Sequence, residues 1–202
     1  MNAVLFSEMQ QMVDRLLDFI AQEGCSDAEF DALAAALFAF QYDHDVALRR
    51  FCQRRGVTPR QVRGWRDIPL VPISAFKDAV LSCLPPAECE RVFMTSGTTR
   101  EDVKGRNHHP TIAVWDASMR RNFARRFMAD GVALPMTILF PSERELPNSS
   151  LARYLSLASR EFGAEGSAHC VGPVGMDVEG VVATLDRAVD TGRPIALLGA
   201  SY

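Results

Sequence analysis

The sequence predicts an α/β fold: a helical N-terminal layer followed by a largely parallel sheet with flanking helices. Three observations carry this expectation. Over the first sixty or so residues, apolar side chains recur with helical period behind residues suited to cap helices. At Asp67-Ile68-Pro69-Leu70-Val71-Pro72-Ile73, two prolines three residues apart exclude continuous helix and favour an extended crossing segment. From Arg91 onward, short strand-like runs alternate with helix-length stretches, the pattern of parallel strands joined by helical crossovers. The division falls between a helical segment, 1–67, and an α/β body, 68–202.

The elements follow in order. Met9, Met12, Val13, Leu16, Leu17 and Ile20 form one apolar stripe, with Ser7 placed to cap the start. Ser26-Asp27-Ala28-Glu29 is a capping box opening a second helix that turns Phe30, Leu33, Leu37 and Phe38 inward. A third helix follows Asp43, and Thr58-Pro59-Arg60-Gln61 combines a cap, a proline at the first helical position and a glutamine able to close the box. A short helix capped by Ser74 carries Phe76 and Lys77. Strand 92–94 then runs into a Ser/Gly/Thr loop, followed by a helix at about 111–129, strand 136–140, helix 149–162, a strand near 167–170, helix 178–190 and strand 195–198. Gly199-Ala200-Ser201-Tyr202 follow the last strand with no closing helix, which predicts that the chain stops inside a fold unit.

Composition excludes several classes. A hydrophobic fraction of 48% over 202 residues is enough for a substantial core and argues against disorder. No stretch approaches the roughly 20 apolar residues of a membrane span, and Glu8, Asp14 and Asp18 stand where a signal peptide needs a basic start, so the expected location is cytoplasmic. Cys25, Cys52, Cys83, Cys89 and Cys170 form no C-x-x-C pair, which indicates reduced thiols and neither a zinc site nor a disulfide framework. A net charge of -3 argues against general attraction to nucleic acid. Its distribution tells more: residues 1–48 hold nine acidic side chains and one basic, whereas 100–127 hold seven basic and three acidic. That surplus could serve an anionic ligand, although a solvated helix face accounts equally well for Arg120 to Arg126.

Phe93-Met94-Thr95-Ser96-Gly97-Thr98-Thr99-Arg100-Glu101-Asp102-Val103-Lys104-Gly105 is the most informative stretch. A strand delivers a turn in which Gly97 lets the backbone approach an anion, while Thr95, Ser96, Thr98 and Thr99 offer hydroxyl donors beside the backbone N–H groups. Lys104 and Arg106 add positive charge for a polyphosphate and for a departing pyrophosphate. A short polar turn would look similar. Neither G-x-x-x-x-G-K-[ST] nor a G-x-G-x-x-G after a strand is present, which removes the two commonest nucleotide loops.

Thr95-Ser96-Gly97-Thr98-Thr99 with Lys104-Gly105 resembles the phosphate-binding motif of adenylate-forming enzymes, the superfamily of acyl-CoA synthetases and luciferases. Three further segments resemble the acyl-protein synthetase (LuxE) family, whose relatives include phenylacetate-CoA ligase: Ile68 to Lys77; Leu139-Phe140-Pro141-Ser142 with Asn148-Ser149-Ser150-Leu151; and Pro194 to Tyr202. Their order and spacing agree over about 60–202, and the N-terminal helices match loosely. The resemblance implies part of the N-terminal domain of an adenylate-forming enzyme, with ATP and Mg²⁺ as cofactors, a carboxylic (fatty) acid as substrate and a thiol on a protein or on CoA as acceptor. It implies roles at the nucleotide for Thr95, Ser96, Gly97, Thr98, Thr99, Arg106, Gly199, Ser201 and Tyr202, and catalytic roles for Lys104 and His108. It is compatible with a homo- or hetero-oligomer. Arg100 stands where the superfamily usually has glycine, and the interval to Lys104 is one residue longer, so the role of Lys104 stays open. Later adenine-binding, ribose-binding and catalytic-lysine motifs and a terminal cysteine are absent, so residues 1–202 alone should not complete turnover.

His108 and His109 are adjacent on an extended chain and point to opposite sides, which disfavours a shared metal; a solvated pair is the plain alternative. His169-Cys170 invites a thiol-imidazole reading, against which a small buried thiol is the simpler one. Gly172-Pro173-Val174-Gly175 with Asp177 reads as a strand-helix turn, and Trp65 and Trp115 as core or interface residues. Two other readings compete with an acyl ligase: a noncatalytic scaffold binding partners through its acidic helices, and a loop for a phosphorylated metabolite other than ATP.

Overall fold

A computed structural model describes residues 3–95 and 104–200. Helix α1 (Ala3–Ala21) starts ahead of Ser7, which therefore lies inside it; the stripe behaves as expected, with Met9, Met12 and Val13 buried. Helix α2 (Asp27–His44) is held by the capping box: the Glu29 N–H donates to Ser26 Oγ at 3.3 Å and the Ser26 N–H donates to Glu29 Oε2 at 2.7 Å. Its Phe38 is buried, but Phe30 is 44% exposed, on the rim between Phe19 and Trp65 with ring centroids 6.2 and 6.4 Å away. Helix α3 (Val46–Arg54) begins at Asp45, whose carboxylate accepts the Leu48 N–H at 2.9 Å. Phe38, Leu48, Cys52 and Val62 form one core cluster, and Met9, Val13 and Leu84 a second.

The segment from Thr58 makes the hydrogen bonds of a cap, Thr58 N–H to Gln61 Oε1 at 2.8 Å, yet propagates for only one turn. Val62 turns into the core and Gly64 is fully extended, so a single turn is all the packing allows. The expected helix at Phe76 and Lys77 is present as one turn, α4 (Ala75–Asp78), with no side-chain bond from Ser74.

Strand β1 (Arg91–Met94) does not join a parallel sheet among the described residues. It pairs antiparallel with β2 (Arg106–His109), Arg91 opposite His109 and Met94 opposite Arg106. Sequence reading missed β2 because its polar run Arg-Asn-His-His has no strand propensity; the ladder to β1 imposes the conformation.

The chain divides into two compact units, Met1–Ala117 and Ser118–Tyr202, with residues of α5 (Ala113–Phe127) in both. The second unit holds the parallel sheet. β3 (Met136–Leu139) is central, flanked in parallel by β4 (Ala168–His169) and by β7 (Ala196–Gly199). As befits a central strand, Met136, Thr137 and Ile138 are all buried. Helix α6 (Ser150–Phe162) is capped by Ser149, whose hydroxyl accepts the Ala152 N–H at 3.2 Å, and buries Ala152, Leu155, Leu157 and Ala158. Phe123 stacks on Phe127 and Phe162 with centroids 4.9 and 5.2 Å away. The strand expected near 167–170 splits in two: after β4 the chain forms a small antiparallel hairpin, β5 (Val171–Gly172) and β6 (Gly175–Met176). Gly175 at φ 113° supplies the positive φ of that turn. Asp177 then caps α7 (Val178–Thr191). Among the described residues, no helix is long and apolar enough to cross a membrane.

Candidate functional site

The loop singled out from sequence springs from the β1–β2 hairpin. Its neck is closed by two hydrogen bonds: the Thr95 N–H donates to the Gly105 carbonyl at 3.0 Å, and the Gly105 N–H donates to Thr95 Oγ1 at 3.0 Å. Ser96, Gly97, Thr98 and Thr99 lie outside the described residues, as do Arg100 to Val103. Gly105 is buried where space is tight, since a Cβ there would sit 3.2 Å from Thr95 Cγ2 and 3.6 Å from Lys77 Cγ. Helix α4 therefore brings the stem of Lys77 against the neck.

Beside the neck lies a cleft of about 290 Å³ walled by Phe76, Lys77 and Asp78 on one side and Lys104, Arg106 and His108 on the other. Arg106 and His108 share a face of β2 through the two-residue period of a strand. Among the described residues, three cationic side chains and one carboxylate converge here, a balance suited to an anion carrying several charges. The sequence-derived residues Thr95, Lys104, Arg106 and His108 are thus gathered at one hairpin. Lys77 and Asp78, from α4, are additions; the signal available for Lys77 is its place at the end of the Ile68 to Lys77 segment, five residues after Pro72, which carries no site role in the sequence.

On the other side of Phe76 and His108 is a second, larger cavity of about 420 Å³. Its walls come chiefly from α1 and α2, with Met9, Met12, Val13, Leu16, Leu37 and Phe40, and from the turn after β2. His109 packs edge-on against Phe93 with centroids 5.0 Å apart. Burial, and secondarily the neighbouring His108, push the His109 imidazole below its usual value, which keeps it neutral. His108 Nδ1 and His109 Nε2 are buried without a hydrogen-bond partner among the described residues. Cys83, also in the cavity wall, has its thiol pushed up to about 12, first by burial and then by Asp45 and Cys89. Such a thiol is a poor nucleophile.

The second unit holds the remaining sequence-derived residues. Gly199 ends β7 opposite Leu139, where a Cβ would meet Leu139 Cβ at 3.1 Å, so packing alone favours glycine. Ser201 and Tyr202 lie outside the described residues. His169 forms no pair with Cys170. Its Nδ1 donates to the Phe140 carbonyl at 2.9 Å, which leaves Nε2 to accept the Ser156 hydroxyl at 3.1 Å; that hydroxyl oxygen in turn accepts the Glu143 N–H at 2.9 Å. This relay pins the segment after β3 to α6 and β4. The Cys170 thiol is pushed up by burial, as a structural thiol would be. Arg120, one of the surplus cations, meets Glu161 at 2.6 Å. Among the described residues, no group of three His, Cys, Asp or Glu side chains is placed to hold a metal ion.

No protein-family model matches the chain. A curated relative, "Long-chain-fatty-acid--luciferin-component ligase" from Vibrio harveyi, is 26% identical over 172 residues, a span longer than either unit and equal to 84% of this chain. The span is 44% of that protein, so the chain matches less than half the ligase's length. What the comparison establishes is a distant similarity to an acyl ligase that reaches into both units.

Proposed function

We propose that this chain is the part of an acyl-activating ligase that grips the triphosphate of ATP while a carboxylic acid is converted to its acyl-adenylate. One observation carries the reading: the hairpin neck at Thr95 and Gly105 opens on a cleft where Lys77, Lys104 and Arg106 converge. The similarity to a fatty-acid ligase supports it and suggests a fatty acid as substrate.

In this reading a carboxylate oxygen bonds to the α-phosphorus of ATP as the bond to the bridging oxygen breaks, and pyrophosphate leaves with that oxygen. An acceptor thiolate, on a protein or on CoA, then bonds to the acyl carbon, and AMP leaves with the oxygen it had gained; the thiol proton goes to solvent. The hydroxyls of Thr95 to Thr99 and the cations of the cleft hold the phosphates and offset charge as pyrophosphate departs, so the protein's task is orientation and electrostatic stabilisation. Among the described residues, Asp78 is the carboxylate in the cleft; together with phosphate oxygens it fits Mg²⁺, which is commonly held by one or two carboxylates plus substrate phosphates. Gly199, Ser201 and Tyr202 are proposed as nucleotide contacts on the resemblance of their segment.

Isothermal titration with Mg-ATP tests the proposal. Binding should weaken at least several-fold in Lys77→Ala and in Lys104→Ala, each checked for folding by circular dichroism. Absence of Mg-ATP binding to the wild-type chain overturns the proposal, as does binding that neither substitution alters.

A further inference from the structure

We infer that the cavity of about 420 Å³ between α1, α2 and the end of β2 takes the hydrocarbon chain of the carboxylic acid, with the carboxylate directed past Phe76 and His108 toward the basic cleft. The inference rests on the proposed acyl activation and adds where the acid lies and which part of it is recognised.

Four features point the same way. The cavity lies within the 300 to 1,000 Å³ range of pockets for small organic ligands and is walled largely by carbon. Met9 and Met12 in its wall are flexible and polarizable, suited to a chain with many conformers. It shares Phe76 and His108 with the cleft that holds Lys77, Lys104 and Arg106, so an apolar compartment adjoins a cationic one across a single wall. A ligand fitting both has an uncharged tail and an anionic head.

The polarity of the wall fixes the orientation. Burial keeps His109 uncharged, so it offers the tail no cation to avoid. Asp45, buried in the same wall with its carboxylate accepting the Leu48 N–H, disfavours an anionic head beside it. The head therefore belongs on the side of the cleft. Cys83 in the wall stays a thiol and does not compete as an acyl acceptor.

The test measures binding of octanoate, decanoate and decanol to the 202-residue chain by titration calorimetry without nucleotide, and of Mg-ATP in parallel. Affinity should rise about fourfold per methylene until the cavity is full. Leu16→Trp and Leu37→Trp, at half-buried wall positions, should each reduce decanoate affinity at least tenfold and leave Mg-ATP affinity and the circular dichroism spectrum unchanged. Decanoate should bind more tightly than decanol, and Lys104→Met should reduce that preference; an undiminished preference would place the carboxylate away from the cleft. Decanoate affinity untouched by both tryptophan substitutions overturns the inference, because the chain then lies elsewhere; so does Mg-ATP binding with no binding of the acids. Cavity-dependent decanoate binding with no Mg-ATP binding leaves the cavity assignment standing and overturns ATP-dependent activation instead. Should one tryptophan variant misfold, the other and the decanol comparison still decide.

Discussion

Replacing Thr95 by valine keeps the shape of the side chain and removes one hydroxyl. That hydroxyl accepts the Gly105 N–H at 3.0 Å, and Gly105 is buried. Leaving a buried N–H unmatched costs about 1–3 kcal/mol. Thr95 itself is exposed, so water recovers part of this, and about 1–2 kcal/mol is the expected loss at the neck. A loss of that size multiplies the population of the opened neck by roughly 5–30. Amide hydrogen exchange read at Gly105 and Thr95 by NMR should therefore quicken by that factor in Thr95→Val and stay near wild type in Thr95→Ser, which retains the oxygen. Mg-ATP affinity should follow the same order. Unchanged exchange in Thr95→Val would refute the role given to this bond, and equal damage by serine would move the effect to the methyl group.

Four other outcomes follow from the same geometry. Because burial lowers the folded-state pKa of His109 below 6.5, the unfolded chain binds the proton first on acidification. Stability is complete above about pH 6.5 and is lost as pH falls toward the lower value; urea midpoints against pH should show a shallower acid limb in His109→Gln, and an identical limb counts against a buried neutral imidazole. In pulse alkylation followed by mass spectrometry, exposed Cys25 should react first, and fully buried Cys52 and high-pKa Cys83 last; equal labelling of Cys83 and Cys25 would show the cavity wall to be open. Leu157→Ala, at a position 1% exposed, should cost about 2–5 kcal/mol in urea denaturation, and a cost under ~1 kcal/mol would place Leu157 outside the core. Ser156→Ala removes the acceptor of the Glu143 N–H and the donor to His169 and should cost about 1–3 kcal/mol by the same assay, whereas a neutral outcome would mean that the relay does not hold its segment.

Legibility in the sequence followed the range of the interaction that decides each element. Ser26, Ser149 and Asp177 each act on the residue three positions on, so α2, α6 and α7 start where their caps indicate. The central β3 is legible because burial on both faces calls for a largely apolar run, here Met136, Ile138 and Leu139 around a buried Thr137. Thr58 shows the limit of local rules: its cap forms, yet the core claims Val62 and no helix follows. Strand β2 has no local signal at all, since its conformation is imposed by a partner some fifteen residues away in the chain. The site divides likewise. Its glycine and hydroxyls stand in one contiguous motif, whereas Lys77 and the cavity walls come from helices distant in sequence and meet the hairpin only in the fold.

The paired bonds between Thr95 and Gly105 also separate two properties that evolution could otherwise change only together. Residues inserted or deleted between these two positions alter the reach of the tip but leave the ladder below it in place. A single insertion between Gly105 and Arg106 would instead invert the strand, turning Asn107 and His109 into the cleft and Arg106 and His108 away from it. The ladder thus tolerates a change of loop length between Thr95 and Gly105 but not a change in the spacing of the four residues after the clasp.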